Sequence, residues 1–369
     1  MKTIHWASAS LGLLALALAG GGLATATDPA PLYSVAADAA PGETALRSAI
    51  DAIFDGESDM GKTRALLVMQ GGRIVAERYA PGFGPDTKLL SWSMAKSVTA
   101  VLVGLMVSDG RLALDSPVPM PAWSQPGDPR GRITLRQLLT MSSGLGHVEE
   151  ADPVASADTT RMLFTDGAQD MARFAEGKPL AHTPGATYSY SSGTTMILSD
   201  LMTRQLTNSE NPAVRQRAMQ QFIDGRLKIP AKLPSLTPEY DAAGTMIGGS
   251  ILHMTARDYG RFGELLRNHG RVGGHQMVAE NWIDFMTRPS KRNSAYGGHL
   301  WLNRQSNESA LMPGQAPASL FGCVGHNGQY ILVSPSQRLT IVRIGMSPRK
   351  EERVALRASL AKLIGLFPA

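Results

Sequence analysis

Two β-prone runs lie near opposite ends of this chain, and most of what separates them has helical periodicity. "RALLVMQGGRIVAERYA", Arg64 to Ala80, sets strand-forming residues on both sides of Gly71-Gly72, a hairpin signal. "GQYILVSPSQRLTIVRIG", Gly328 to Gly345, does the same around Pro335-Ser336-Gln337. Strands at both ends with helix between predict an α/β + α fold. One antiparallel sheet is assembled from N- and C-terminal segments and flanked by helices, and a mostly helical domain is inserted. The expected division is a discontinuous α/β domain, 43–115 and 285–369, and a helical domain, 116–284. Helices are expected over Leu46–Phe54, from Ser93 to about Gly110, over Ile133–Leu145, through "TTRMLFTDGAQDMARFAE", over Thr194–Leu206, Thr255–Gly270 and Glu351–Ile364. No internal repeat is present.

The front of the chain reads as an export signal. Lys2 precedes the apolar run "LGLLALAL", Leu11 to Leu18, and Ala24-Thr25-Ala26 is a small-x-small cleavage site. The run is too short to span a bilayer, and no cysteine stands near the site to carry a lipid. The expectation is a signal peptide over 1–26, an Ala- and Pro-rich tether over 27–42, and a periplasmic or secreted mature chain without a stable membrane anchor. Residues 1–26 hold one Lys and no acid, so cleavage lowers the net charge from +5 to +4. The basic residues are scattered and form no stripe or motif, which argues against nucleic acid as a partner. The single cysteine, Cys323, excludes an internal disulfide and a cysteine-built zinc site. It reads as a small buried apolar residue.

Ser-x-x-Lys occurs three times: Ser93-Met94-Ala95-Lys96, Ser347-Pro348-Arg349-Lys350 and Ser359-Leu360-Ala361-Lys362. A serine hydroxyl needs a neighbouring base, and a lysine can be that base only if burial lowers its pKa. Only Ser93 opens an apolar helix, with Met94, Val98, Val101, Leu102 and Leu105 at helical spacing, so only Lys96 is expected to be desolvated. The spacing puts both side chains on one helix face, and the Ser93 N–H lies in the first turn, free to hold an oxyanion. The bland alternative is a helix cap with an outward lysine. "PGATYSYSSG" adds Tyr188 and Tyr190 in a loop before a helix; a tyrosine beside a lysine can shuttle a proton. "CVGHNGQY" adds His326-Asn327-Gly328 before a strand, with the Gln329 N–H as a second oxyanion donor.

Taken together and in this order, these elements resemble the serine β-lactamase and penicillin-binding-protein superfamily. The similarity is greatest to its class C-related branch of esterases and 6-aminohexanoate-dimer hydrolases. "VAERYAPGF", "SWSMAKSVTAVLVG", "ITLRQLLTMSSGL", "TARDYGRFGELL" and "YGGHLWLN" carry the same resemblance, over roughly Ala65 to Ile344. The resemblance implies a cleft between an α/β and a helical domain, with Ser93 as nucleophile, Lys96 as base and Tyr190, rather than Tyr188, as proton relay. It also implies Ser192, His326, Asn327 and Gly328 as substrate-binding residues. Ser192 stands where many relatives have Asn, and His326 where β-lactamases have Lys. A neutral His binds a carboxylate poorly, so esters or linear amides are expected ahead of β-lactams or D-Ala-D-Ala peptides. A non-catalytic ligand- or cell-wall-binding relative is the other alternative. No metal or cofactor is implied. The partner is a small-molecule ester, amide or peptide-like substrate, and the assembly a monomer or homodimer. His147, Glu149, Glu150 and Asp152 read as a solvated acidic loop rather than a metal site. Trp92 and Trp301 are candidates for pocket wall or core.

Overall fold

The structure is a computed structural model that describes residues 32–369; the expected signal peptide and the first part of the expected tether lie outside them. The strands are β1 (Tyr33–Val35), β2 (Lys62–Gln70), β3 (Arg73–Tyr79), β4 (Leu89–Leu90), β5 (Thr237–Pro238), β6 (Leu252–Met254), β7 (Arg271–Val272), β8 (His275–Gln276), β9 (Trp301–Leu302), β10 (Phe321–Gly325), β11 (Gln329–Ser334) and β12 (Leu339–Met346). The α-helices are α1 (Glu43–Asp55), α2 (Glu57–Met60), α3 (Ala95–Ser108), α4 (Leu135–Leu139), α5 (Asp158–Phe164), α6 (Met171–Glu176), α7 (Ser192–Leu206), α8 (Pro212–Ile223), α9 (Ala256–Arg267), α10 (Glu280–Thr287) and α11 (Lys350–Gly365).

The main sheet has the order β1-β3-β2-β12-β11-β10-β9, with every pair antiparallel. The two expected hairpins are β2–β3 and β11–β12. They meet at β2–β12, where Leu67 faces Val342, so the sheet is closed by segments from the two ends. Alternation along the strands sorts side chains onto two faces. Leu66, Val68, Leu332 and Ile341 pack with Leu46, Ile50, Leu356 and Leu360 of α1 and α11. Leu67, Met69, Ile331 and Val342 pack with Tyr259 and Phe262 of α9 and Val98 of α3. Because β2 and β12 are covered on both faces, their sequences are near-continuous apolar runs rather than clean alternations.

Besides the helix expected over Ile133–Leu145, which is only Leu135–Leu139 and is closed off by Met141 at φ 54°, three expectations need correction. The segment read as a tether is structured from Leu32: β1 pairs with β3, Tyr33 opposite Arg78, and the Tyr33 ring lies under the guanidinium groups of Arg47 and Arg78. A three-residue edge strand leaves too short a pattern to stand out from Ala and Pro. Second, α9 does not belong to the helical lobe as placed within 116–284. It lies on the sheet, brought close by two glycines: an added Cβ at Gly260 would fall 2.5 Å from Leu67 Cδ2, and one at Gly263 would fall 2.6 Å from Thr340 Cγ2. Third, the helical stretch ending at Glu176 is two helices, α5 and α6, the second capped by the Asp170 side chain.

The central helix is α3, buried from Ala95 to Met106 on every side. Gly104 lets the Trp282 indole of α10 lie against it, and Trp282 Nε1 donates to Ala100 O at 3.0 Å. α7 packs alongside α3 and is buried from Ser192 to Thr203. The N-termini of these two helices meet, and the site forms there. Among the described residues no helix is long and apolar enough to cross a membrane.

Candidate active site

Ser93 sits in the single 3-10 turn, Trp92–Met94, that leads into α3. Trp92 has φ 46°, a left-handed conformation unfavourable for a bulky residue. It is held by its neighbour: the Ser91 N–H donates to Leu252 O (2.9 Å), the Leu252 N–H to Ser91 Oγ (3.2 Å), and Ser91 Oγ to Trp92 O (2.9 Å). β6 thus braces the nucleophile turn.

One helical turn on, Lys96 is 1% exposed. Its Nζ lies 2.9 Å from Ser93 Oγ, 2.8 Å from Ser192 Oγ and 2.7 Å from Gly249 O. Burial lowers its pKa to about 8, against the opposing pull of Glu149. A lysine at about 8 keeps a neutral fraction near neutral pH, which is what a base for a serine needs.

Ser192 is the first residue of α7, following the N-cap Ser191. Its Oγ donates to Glu149 Oε1 and its N–H to Glu149 Oε2, both at 2.6 Å. Thr159 Oγ1 donates to Glu149 Oε2 at 2.8 Å, and His147 Nε2 lies 3.4 Å from the same oxygen. Burial opposes the charge on Glu149, but the His147 contact, the Lys96 charge and the Ser192 hydrogen bond hold its pKa down to about 2. The loop differs from the solvated acidic segment that its composition predicts. Instead His147 is buried and Glu149 turns inward onto the start of α7, while Glu150 stays exposed. No local signal separates Glu149 from Glu150, since the difference is made by partners on α7, α5 and α3.

Tyr190 immediately precedes these serines. Its ring stacks on Trp301, centroids 5.6 Å apart and planes at 29°, and meets Tyr296 edge-on at 6.0 Å. Lys96 Nζ lies 4.9 Å from the ring centroid. Burial and Glu149 raise the phenol's pKa well above its ordinary value, while the neighbouring Ser93 side chain works the other way. The hydroxyl is therefore neutral at physiological pH and faces the nucleophile. Tyr188 is turned aside: it packs on Tyr296 at 5.4 Å, and its buried hydroxyl has no partner. Trp301 thus belongs to the site wall. Trp92 does as well, through an edge contact with the His326 ring at 5.3 Å.

The strand element is placed differently from the expectation. β10 packs against Trp92–Met94, and the turn that follows it reaches this segment through the His326 ring on Trp92. An added Cβ at Gly325 would fall 2.5 Å from Ser91 O. The triplet beside the nucleophile is therefore Cys323-Val324-Gly325, three residues before His326-Asn327-Gly328. Asn327 and Gly328 face away from Ser93: Asn327 O accepts from the Ser347 N–H (2.9 Å), and Gly328 O from Arg343 Nη1 (2.9 Å). Through these carbonyls they anchor the turn on the buried Arg343 and on the Ser347 backbone. His326 is exposed at the rim. Burial of part of the ring and the Arg353 charge lower its pKa, against Glu150 and Glu149.

The second oxyanion donor changes with this register. The Asn303 N–H donates to Leu320 O at 2.9 Å, so even-numbered residues here turn their backbone groups toward β9 and odd-numbered ones toward β11. Gly325 faces Gln329 across the hairpin, and the Gln329 N–H is committed there. Its side chain is fixed too, Nε2 donating to Gly345 O at 2.7 Å. β9 pairs only with Phe321 and Gly322, which leaves the edge open at Val324 and His326. Continued one residue past the end of β10 at Gly325, that alternation would aim the His326 N–H, rather than that of Gln329, at the open edge. Cys323 is buried, and burial pushes its thiol up to about 12. The other two Ser-x-x-Lys pairs make no comparable site; Ser347, for example, is a buried hydroxyl donating to Met60 O.

A profile of the β-lactamase family matches residues 50–365. The 6-aminohexanoate-dimer hydrolase of Paenarthrobacter ureafaciens is 24% identical over 310 residues, 79% of this chain and 74% of that one. A Bacillus anthracis chain provisionally named as a 6-aminohexanoate-dimer hydrolase superposes with a TM-score of 0.66 at 20% identity, over 85% of this chain and 82% of that one. A family VIII carboxylesterase superposes with a TM-score of 0.64 at 16% identity, over 89% and 99%. With the family profile spanning most of its length and its sheet, helices and serine–lysine pair arranged in one fold, this chain belongs to the β-lactamase family.

Proposed function

We propose that this serine hydrolase cleaves ester or linear amide bonds of small molecules through an acyl-enzyme on Ser93, as a 6-aminohexanoate-dimer hydrolase or carboxylesterase-like enzyme. The observation that carries the reading is the buried Lys96 Nζ, 2.9 Å from Ser93 Oγ. Neutral Lys96 takes the Ser93 proton as Oγ attacks the carbonyl carbon. The tetrahedral oxyanion is received by the backbone N–H groups of Ser93 and His326, each worth about 3 kcal/mol of transition-state stabilisation. The proton then moves through the neutral Tyr190 hydroxyl to the leaving oxygen or nitrogen. Water attacks the acyl-enzyme by the reverse relay, Lys96 accepting its proton and Ser93 leaving.

The strand beside the nucleophile favours this reading over a β-lactamase or D-Ala-D-Ala carboxypeptidase. Its triplet opens with a buried thiol at Cys323 rather than a cation to meet a substrate carboxylate. Short-acyl p-nitrophenyl esters, aminohexanoate dimers and nitrocefin, assayed side by side, test the substrate class: ester or dimer turnover ahead of nitrocefin is expected. Ser93→Ala should abolish hydrolysis and fluorophosphonate labelling. Full ester hydrolysis by Ser93→Ala would sink the assignment, and a folded wild-type chain that refuses the probe would favour a non-catalytic binding protein. The basic start, apolar run and small-x-small site support export with cleavage near Ala26, which N-terminal sequencing of secreted or periplasmic protein would check.

A further inference from the structure

The carboxylate of Glu149 has no place in the serine–lysine–tyrosine chemistry, yet it is joined to it by a single hydroxyl. Lys96 Nζ contacts three oxygens, and each has restricted freedom. Gly249 O is a carbonyl and can only accept. Ser192 Oγ spends its one proton on Glu149 Oε1, which as a carboxylate can only accept, so toward Lys96 it too can only accept. Two of the three nitrogen directions are thereby reserved for N–H bonds. The third faces Ser93 Oγ.

We propose that Glu149 is a positioning residue for catalysis: by holding the Ser192 proton it fixes the direction in which Lys96 loses its own, so that the lone pair of the neutral amine always faces the Ser93 hydroxyl. Without that carboxylate the Ser192 hydroxyl is free to turn and donate to the Lys96 lone pair, competing with Ser93 for the base. The carboxylate is itself restrained by the Ser192 N–H at the start of α7, by Thr159 of α5 and by His147 of its own loop. The other ionisable groups facing the pair are Tyr190 and Tyr296, with His326 and Glu150 at the rim. His299 lies on the far side of Lys96, where burial holds it neutral, with a pKa lowered to about 3. The Gly248-Gly249 segment brings no ionisable group. Among the described residues Glu149 is thus the one full negative charge against Lys96 inside the site, and it opposes the desolvation that lowers the amine's pKa.

The inference rests on the reading of Lys96 as the base for Ser93, and the experiment separates the two. Ester hydrolysis is followed from about pH 6 to about pH 10 in wild type, Glu149→Gln, Glu149→Asp, Ser192→Ala and the Ser192→Ala/Glu149→Gln double variant, each checked for native circular dichroism. In Glu149→Gln the acid limb of kcat should move down by about one pH unit, since an anion beside Lys96 is lost, and the plateau should fall roughly 10-fold with KM little changed. Glu149→Asp, which keeps the charge, should keep the limb. In the Ser192→Ala background the Glu149→Gln change should cost no further plateau activity, because the hydroxyl it directed is gone. An acid limb unmoved in folded Glu149→Gln, or plateau losses that simply add in the double variant, would overturn the proposal. Should Glu149→Gln fail to fold, Ser192→Ala alone decides: a lowered plateau with the limb retained supports it, and an unchanged kcat refutes it. Activity surviving in Ser93→Ala would instead mean that the base reading itself has failed.

Discussion

Lys96→Met offers a way to weigh the buried amine without any substrate. A lysine whose pKa is lowered from 10.5 to about 8 carries a proton at neutral pH that the folded state disfavours, a burden of about 3 kcal/mol. The pH dependence follows from proton counting. Between about 8 and 10.5 the unfolded chain binds this proton and the folded chain does not, so stability rises with pH across that window and the gain is absent below about 8. Lys96→Met lacks the step. It also leaves Gly249 O and Ser192 Oγ short of a donor, costing about 1–3 kcal/mol at every pH. The two contributions have similar size, so a single comparison at pH 7 says little. The difference between wild type and variant across pH is decisive, because every other titrating group cancels. Urea unfolding of both proteins at steps from about pH 7 to about pH 10 should show wild type gaining roughly 2.5 kcal/mol relative to Lys96→Met. A difference that stays flat across this range would mean that Lys96 is not desolvated, and with it the case for a neutral base would fall.

Two further outcomes follow from packing. Gly325→Ala places a methyl group 2.5 Å from Ser91 O, which must displace the braced nucleophile turn; a stability loss of about 1–3 kcal/mol, seen in thermal unfolding, should accompany a fall in kcat larger than any change in KM. Cys323, buried and with its thiol pushed up to about 12, should resist iodoacetamide in the native protein at pH 8 and react only after denaturation; rapid native labelling, read by mass spectrometry, would contradict the position given to β10.

Much of the architecture could be read before the structure. The hairpins β2–β3 and β11–β12 announce themselves by strand-forming runs around tight turns, and α3 by apolar residues at helical spacing. The same helix context singled out Ser93 and Lys96 among three identical spacings, because only there is the lysine carried into the core. What escaped depends on pairings that local sequence does not encode. β1 is too short to show a pattern. The strand motif slips by three residues because its register is set by β9 and β11, and by the contact of Gly325 with Ser91, rather than by the conspicuous His-Asn-Gly turn. Glu149 was hidden by composition: an acidic loop reads as solvated, and only the fold brings this carboxylate onto Ser192 and leaves Glu150 outside. Gly260 and Gly263 marked α9 for close approach to the sheet, but a helix on a sheet and one in a lobe share the same amphipathic pattern.

The central claim is that Ser93 carries the acyl group. Acid-quenched samples taken during the first turnovers of a p-nitrophenyl ester, digested and analysed by mass spectrometry, test it most directly. The account predicts one added acyl mass on the peptide containing Ser93 in wild type, accumulating further in Tyr190→Phe if the same relay activates the deacylating water, and absent in Ser93→Ala. Turnover with no acyl mass on that peptide, or with the mass on another residue, would contradict it.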